Sequence, residues 1–163
     1  MATVKKGVFS QGTHVWVKHN TSSSASTLTK MLCITGIELG DDSPNEIPNT
    51  CLEETSTTTS VYGLNTPGDG SIKINTDPTN QSHLKLLQLA DDMAEVEVVI
   101  GWSDGTAEPT LTTNNLTTPT GRTFSTFTAI LRPSSPTFEP DSLVTHTISM
   151  KRQSKVITKY KTA

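Results

Sequence analysis

Aromatic residues supply only 5% of this 163-residue chain, charged residues 18% and apolar residues 33%. Ordinary domains carry about 45–50% apolar residues, glycine included, and about 25% charged ones. Each shortage excludes something. No apolar run approaches the ~20 residues of a membrane-spanning helix, so no membrane partner is expected. The opening stretch, Met1 to Phe9, has charge but no apolar block behind it, and does not read as a secretory signal. Two cysteines, Cys33 and Cys51, make neither a disulfide framework nor a structural zinc site. A net charge of −3 neither requires nor excludes a nucleic-acid partner.

Catalytic chemistry is missing as well. There is no nucleophile elbow, phosphate-binding glycine loop or metalloprotease helix. His14, His19, His83 and His146 show no metal-ligand spacing, and His14 and His19, five apart, fall on opposite faces of one strand. The pairs Asp41–Asp42, Glu53–Glu54 and Asp91–Asp92 are sequence neighbours, which point apart on a strand and so do not share a site. The expectation is a protein that is not an enzyme, with no cofactor, no metal and no catalytic residue.

What the chain has in excess is hydroxyl. It holds 29 Thr and 17 Ser, 46 of 163 positions. The β-branched residues fall in alternating runs, the period of a half-buried strand. Strands are expected at residues 13–18, 28–39, 47–53, 71–75, 95–102, 107–111, 122–131 and 143–152. Gly40 to Asn45 is turn chemistry. A hairpin reversing near Asp42 brings Cys33 and Cys51 face to face as a reduced thiol pair. Asp104-Gly105 closes a second tight hairpin between 95–102 and 107–111. Residues 54–60 form a polar extension, Val61-Tyr62-Gly63-Leu64 a short apolar touch-down, and 112–121 a mobile loop.

One helix interrupts the strands. Asp77 and Pro78 read as N-cap and first helical residue. Leu84 and Leu87 form the apolar stripe, widened by Leu86, Leu89 and Ala90. The sum is an all-β fold, a sandwich or barrel with one flanking α-helix, in a single domain over 1–163 with an N-terminal arm (1–11) and a basic C-terminal tail (153–163). Two strands separate cleanly into faces. Val144, His146, Ile148 and Met150 oppose Thr145, Thr147, Ser149 and Lys151; Phe127, Ala129 and Leu131 oppose Thr126 and Thr128. Both sides of Leu28 to Leu39 carry apolar residues, so its face is unassigned. The end of the chain, Lys151 to Lys161, holds five of the thirteen Lys and Arg residues, with Tyr160 as its single aromatic, too few for a nucleic-acid patch.

The order and spacing of these pieces resemble the major tail tube protein of long-tailed, lambda-like bacteriophages. The resemblance rests on Gly12-Thr13-His14-Val15-Trp16-Val17, on Ile34 to Glu38 followed by Glu46 to Glu53, and on the Thr-rich excursion closing at Val61 to Leu64 and Pro67 to Gly70. Ile72 to Pro78, the Leu-rich helix and Asp104-Gly105 complete it. It covers about residues 10–152. It implies a tube-like β fold shared with the type VI secretion tube, and homohexameric rings stacked into a hollow tube. It further implies DNA in transit without specific binding, a tape measure protein and a tail terminator as partners, a place in the virion tail, and assembly in the host cytoplasm.

Under that resemblance Thr126, Thr128, Thr145, Thr147 and Ser149 are expected to face the lumen, with Glu38 and Glu53 near it. Glu54, Thr55, Ser56, Thr57, Thr58, Thr59 and Ser60, with Lys155 and Lys159, are expected at ring-to-ring contacts. The N-terminal segment and the basic tail are expected to order on assembly. Two other readings stand beside this one: a tail terminator or connector that forms a single ring, and an adhesin-like β domain.

Overall fold

The computed structural model describes residues 7–20 and 25–162. Residues 1–6 of the expected N-terminal arm, residues 21–24 and the last residue of the tail lie outside them. Seven strands form the path of one sheet: β1 (His14–Asn20), β2 (Ser26–Met31), β3 (Ile34–Glu38), β6 (Asp69–Asn75), β7 (Glu95–Gly101), β10 (Phe124–Leu131) and β11 (Thr145–Arg152). Their order is β2-β1-β7-β10-β11-β6-β3, all antiparallel. An eighth strand, β12 (Ile157–Lys159), pairs with the start of β10. Two small ribbons stand apart, β4 (Ser43–Pro48) with β5 (Ser60–Thr66) and β8 (Thr110–Thr112) with β9 (Asn115–Thr117).

β10 is the corner of the sheet. Along one edge it pairs with β7 for its whole length; its other edge is shared, β12 at the start and β11 over only Ala129–Leu131. The two halves diverge there and fold over one core. Val15, Val17, Val96, Val98, Ile100, Phe127, Ala129, Leu131, Ile148, Met150, Ile72 and Ile74 all point into it. The helix α1 (Gln81–Asp91) closes one side with Leu86, Leu89 and Ala90. The two ends of the sheet, β2 and β3, follow each other in the chain but do not pair, leaving an open cleft between them.

Several expected elements differ. The helix starts later, at an Asn80 cap whose side chain accepts from the Ser82 N–H and hydroxyl; Asp77 instead closes a turn onto Thr79. The buried stripe is Ser82, His83, Leu86, Leu89 and Ala90; Leu84, about 160° round the helix from Leu86, is exposed. The long strand 28–39 is two strands broken at Cys33, whose φ of 56° is left-handed. The corner is tied to the helix: the Leu32 N–H donates to the Ser82 hydroxyl oxygen (3.1 Å), and His83 Nε2 reaches the Leu32 carbonyl at 2.8 Å. The break and a bulge between Ile34 and Gly36 shift the side-chain parity, which is why neither face of 28–39 was legible.

The first hairpin is also different. β3 pairs with β6, and β4 with β5, so Cys33 and Cys51 are exposed free thiols rather than neighbours. Residues 107–111 do not pair with β7. The 112–121 stretch holds half of a small hairpin whose Leu116 covers Trp16, Val99, Phe124 and Leu28 on the outer side of the sheet. The tail is ordered within the single chain, since β12 hydrogen-bonds to β10 and Val156 packs against the main core.

A buried arginine organises the end of the molecule near β1. Arg122 is 1% exposed and donates to the carbonyls of Gly12, Gly101, Trp102 and Ala107. It also reaches His14 Nδ1 at 3.3 Å, an acceptor only while that nitrogen is unprotonated. Burial first, then the charges of Lys30 and Arg122, hold the His14 pKa below its ordinary value, and burial followed by Lys85 does the same to His19. Both groups therefore take up a proton more readily in the unfolded chain. Their stabilising contribution is complete above about pH 6.5 and is lost as pH falls below it toward the folded pKa. The urea midpoint is expected to fall between pH 7.5 and pH 5.5, and His14→Gln, which keeps an acceptor for Arg122, to shrink that fall. Each unit of depression removed corresponds to about 1.4 kcal/mol.

Candidate functional site

The sheet has a second face, turned away from the core. On β10 it carries Thr126, Thr128 and Ile130; on β11 Thr145, Thr147, Ser149 and Lys151; on β6 Ser71, Lys73 and Asn75; on β7 Glu95 and Glu97; on β3 Glu38. The alternation of period two produces this segregation, because a core-facing residue on each strand fixes its neighbour outward. Five expected residues, Thr126, Thr128, Thr145, Thr147 and Ser149, are thus on one face, with Glu38 beside Ser71 in register and Ser71 beside Ser149. Glu53 is not with them: it lies exposed in the loop between β4 and β5.

This face is not free of lysine. Three of its lysines sit beside carboxylates on neighbouring strands, Lys18 with Glu97 at 3.1 Å, Lys73 with Glu38 at 3.6 Å and Lys151 with Asp69 at 3.1 Å, whereas Lys159, added by β12, has none beside it among the described residues. Such exposed pairs contribute little to stability, about 0.2–1 kcal/mol. Their effect here is local charge cancellation. The β12 register adds Ile157 and Lys159 to the same face, alongside Thr126 and Phe124. Lys155 is exposed in the turn before β12.

The second feature is an arm. β4 and β5 continue the β3–β6 hairpin outward, and their contacts are chiefly with each other. Ile47, Leu52, Val61, Tyr62 and Leu64 are exposed on it, Leu52 fully, Leu64 at 88% and Tyr62 at 71%. Residues 43–66 carry three carboxylates, Glu46, Glu53 and Glu54, and no Lys or Arg. The touch-down expected at Val61 to Leu64 is the returning strand of this arm, not a contact with the core. Pro44 and Pro48 were the sequence signal: proline belongs on edge strands, not central ones.

Hydroxyls replace a core in the arm's loop. Thr50 Oγ1 accepts from the Thr59 N–H (2.9 Å) and donates to its carbonyl (3.1 Å), while Thr59 Oγ1 donates to the Asn49 carbonyl (2.7 Å). Ser56 donates through its backbone and hydroxyl to Glu54, and those hydrogen bonds, the hydroxyl's first, hold the Glu54 carboxyl below its usual range. Of the residues expected at ring contacts, 54–60 therefore share this arm, while Lys155 and Lys159 belong to the turn and strand beside β10. The two buried arginines, Arg122 and Arg152, had no signal in the sequence pattern. Among the described residues no cluster of His, Cys, Asp or Glu is arranged to hold a metal.

Comparison with known proteins places this geometry. A family model for the lambda-like phage tail tube matches residues 6–162. "Structural protein 3" of Pseudomonas phage PAJU2 is 33% identical over 124 residues, covering 73% of this chain and 75% of that protein. The fold resembles the sheath/tube terminator of the PVC extracellular contractile injection system, with a TM-score of 0.65 at 12% identity over 96% of this chain and 99% of that one. It also resembles the SPP1 tail tube, with a TM-score of 0.64 at 5% identity over 96% of this chain and 81% of that one. The chain belongs to the lambda-like phage tail tube family, and is a structural protein of the phage tail rather than an enzyme.

Proposed function

We propose that this single-domain protein assembles into rings of six that stack into a hollow tube, and that the polar sheet face lines the channel through which DNA passes. The observation that carries this reading is that face itself, a hydroxyl surface backed by the whole core, with Lys18, Lys73 and Lys151 beside carboxylates. A conduit must not hold its cargo. Each lysine free to neutralise a phosphate adds affinity through counterion release, and a lysine already paired gains less. Thr126, Thr128, Thr145, Thr147, Ser149 and Glu38 are the proposed lumen residues. Glu53 moves with Glu54 to Ser60 into the proposed ring contact. The edges of β2 and β3 with which no described strand pairs suit strand continuity between neighbours, since an open edge is a template for another chain.

Tape measure and terminator proteins are the further proposed partners, with assembly in the host cytoplasm before the tail joins the virion. The test is electron microscopy of the concentrated purified protein. Hollow tubes of uniform width are expected, with the six side chains above toward the channel in a reconstruction. Discrete rings that do not elongate favour the terminator reading, and a protein that stays monomeric removes both.

In residues 151–161 Arg152 is buried and Lys151 is paired with Asp69, which leaves Lys155, Lys159 and Lys161 exposed with no acidic residue among them, against three carboxylates and no basic residue on the arm. We propose that the arm of one subunit meets this basic segment of another. Lys155→Glu with Lys159→Glu is then expected to raise the critical concentration for assembly at least tenfold. Raising the salt from 50 to 500 mM is expected to weaken wild-type assembly in the same direction. Light scattering that shows assembly indifferent to salt counts against the pairing.

A further inference from the structure

The arm has a mechanical problem. Its strands pack chiefly on each other, so no body surface fixes its direction. Its strand Ser43–Pro48 spans roughly 20 Å at about 3.3 Å per residue. A tilt of ten degrees at the root therefore moves its far end by about 3–4 Å, as much as the reach of a side-chain contact. Whatever sets the direction must act at the root, where β3 passes into β4 and β5 into β6.

One side chain converges on that root. Arg152, the last residue of β11, is 2% exposed. Its Nε donates to the Leu39 carbonyl at 2.7 Å and one terminal nitrogen to the Gly40 carbonyl at 2.9 Å. The same nitrogen is paired with the Asp42 carboxylate. The other terminal nitrogen donates to the Ser154 carbonyl at 3.2 Å, beyond the end of β11. A planar guanidinium offers its donors in a fixed fork, so these acceptors are held at set angles to one another and to the sheet. The backbones cross closely at this point. A Cβ on Gly40, whose φ is +68°, meets the Asp69 carbonyl oxygen at 2.2 Å, and one on Gly68 meets the Asp41 oxygen at 2.3 Å. The two root segments thus lie in direct contact, and holding one holds the other.

We infer that Arg152 is a positioning residue for assembly: it clamps residues 39–42 against the end of β11 and thereby aims the arm. This rests on the proposal that the arm makes the contact between rings. A structural role in the core alone predicts uniform destabilisation; a clamp predicts loosening confined to the root and arm.

Arg152→Lys keeps the charge but cannot reach the spread of acceptors, and Asp42→Ala removes the one carboxylate without touching the core. Hydrogen exchange of amides in 38–47 and 61–71 is expected to rise at least tenfold in Arg152→Lys, with that of β7 and β10 within twofold of wild type. Asp42→Ala is expected to show the same pattern at smaller amplitude. Tube yield at the wild-type assembly concentration is expected to fall at least tenfold in Arg152→Lys. If Arg152→Lys unfolds, Asp42→Ala decides by the same two readouts. Wild-type exchange and wild-type tubes in the folded variants overturn the clamp. The two readings separate on an arm-tip deletion: a deletion that abolishes tubes while the clamp variants assemble normally sinks the clamp alone, and a deletion that assembles normally sinks the role of the arm.

Discussion

Replacing residues 49–59 with an Asn-Gly turn is expected to leave a folded monomer that forms no tubes. Pro48 pairs with Ser60, so a two-residue connection closes the shortened hairpin in a turn type that suits its twist. The removed loop lends nothing to the core. Leu52 is fully exposed, and the hydrogen bonds of Thr50 and Thr59 lie within the removed segment. The melting temperature is therefore expected to stay within about 2 °C of wild type, as for surface changes below about 0.5 kcal/mol. Assembly is another matter. Burying one leucine is worth about 1.5–3 kcal/mol, and each 1.4 kcal/mol is a factor of ten. Losing Leu52 together with the loop's polar contacts is expected to raise the critical concentration at least a hundredfold, measured by sedimentation. Leu52→Ser alone should raise it about tenfold or more. Normal tubes from the deletion variant refute the arm's role in stacking.

The face separation of β10 and β11 was legible because each has a strict period of two with no bulge: once Phe127 and Ile148 are inside, Thr128 and Thr147 are outside. Period two says nothing about which strand pairs with which, and there the reading failed. The Gly40–Asn45 turn chemistry marks a real change of direction, yet it is the root of an arm and not the tip of a hairpin. Cys33 and Cys51, which only a hairpin tip at that turn brings together, are therefore apart. The helix was visible from its leucines, but Leu84 and Leu86 lie on opposite sides of it, and the packing of Leu86, Leu89 and Ala90 against the sheet decides which turns outward. The thinness of the core acquires a physical account in the same way. Much of the chain is not core at all: the outer sheet face and the arm both need β-propensity without apolar surface, which threonine supplies.

The buried arginines were illegible for a different reason, since their role depends on carbonyls gathered from distant segments. Arg122→Met is expected to cost about 3–5 kcal/mol of folding stability, because it orphans several buried carbonyls at once. The side chain is 1% exposed and, among the described residues, has no carboxylate within salt-bridge range; its partners there are four backbone carbonyls and His14. Its ring-face contacts with Trp16 and Phe124, 5.5 and 5.9 Å from guanidinium carbon to centroid, hold the fork in plane. Methionine fills comparable volume but leaves the carbonyls of Gly12, Gly101, Trp102 and Ala107 without their donor. Each buried group so orphaned costs about 1–3 kcal/mol unless water reaches it. Arg122→Lys should recover part of the loss, because an ammonium satisfies some of these oxygens from one point but not all from a fork. Denaturant midpoints give the three values. A Met variant within 1 kcal/mol of wild type means that water replaces the guanidinium at no cost, and the network is then not what joins the segment before β1 to the body of the sheet.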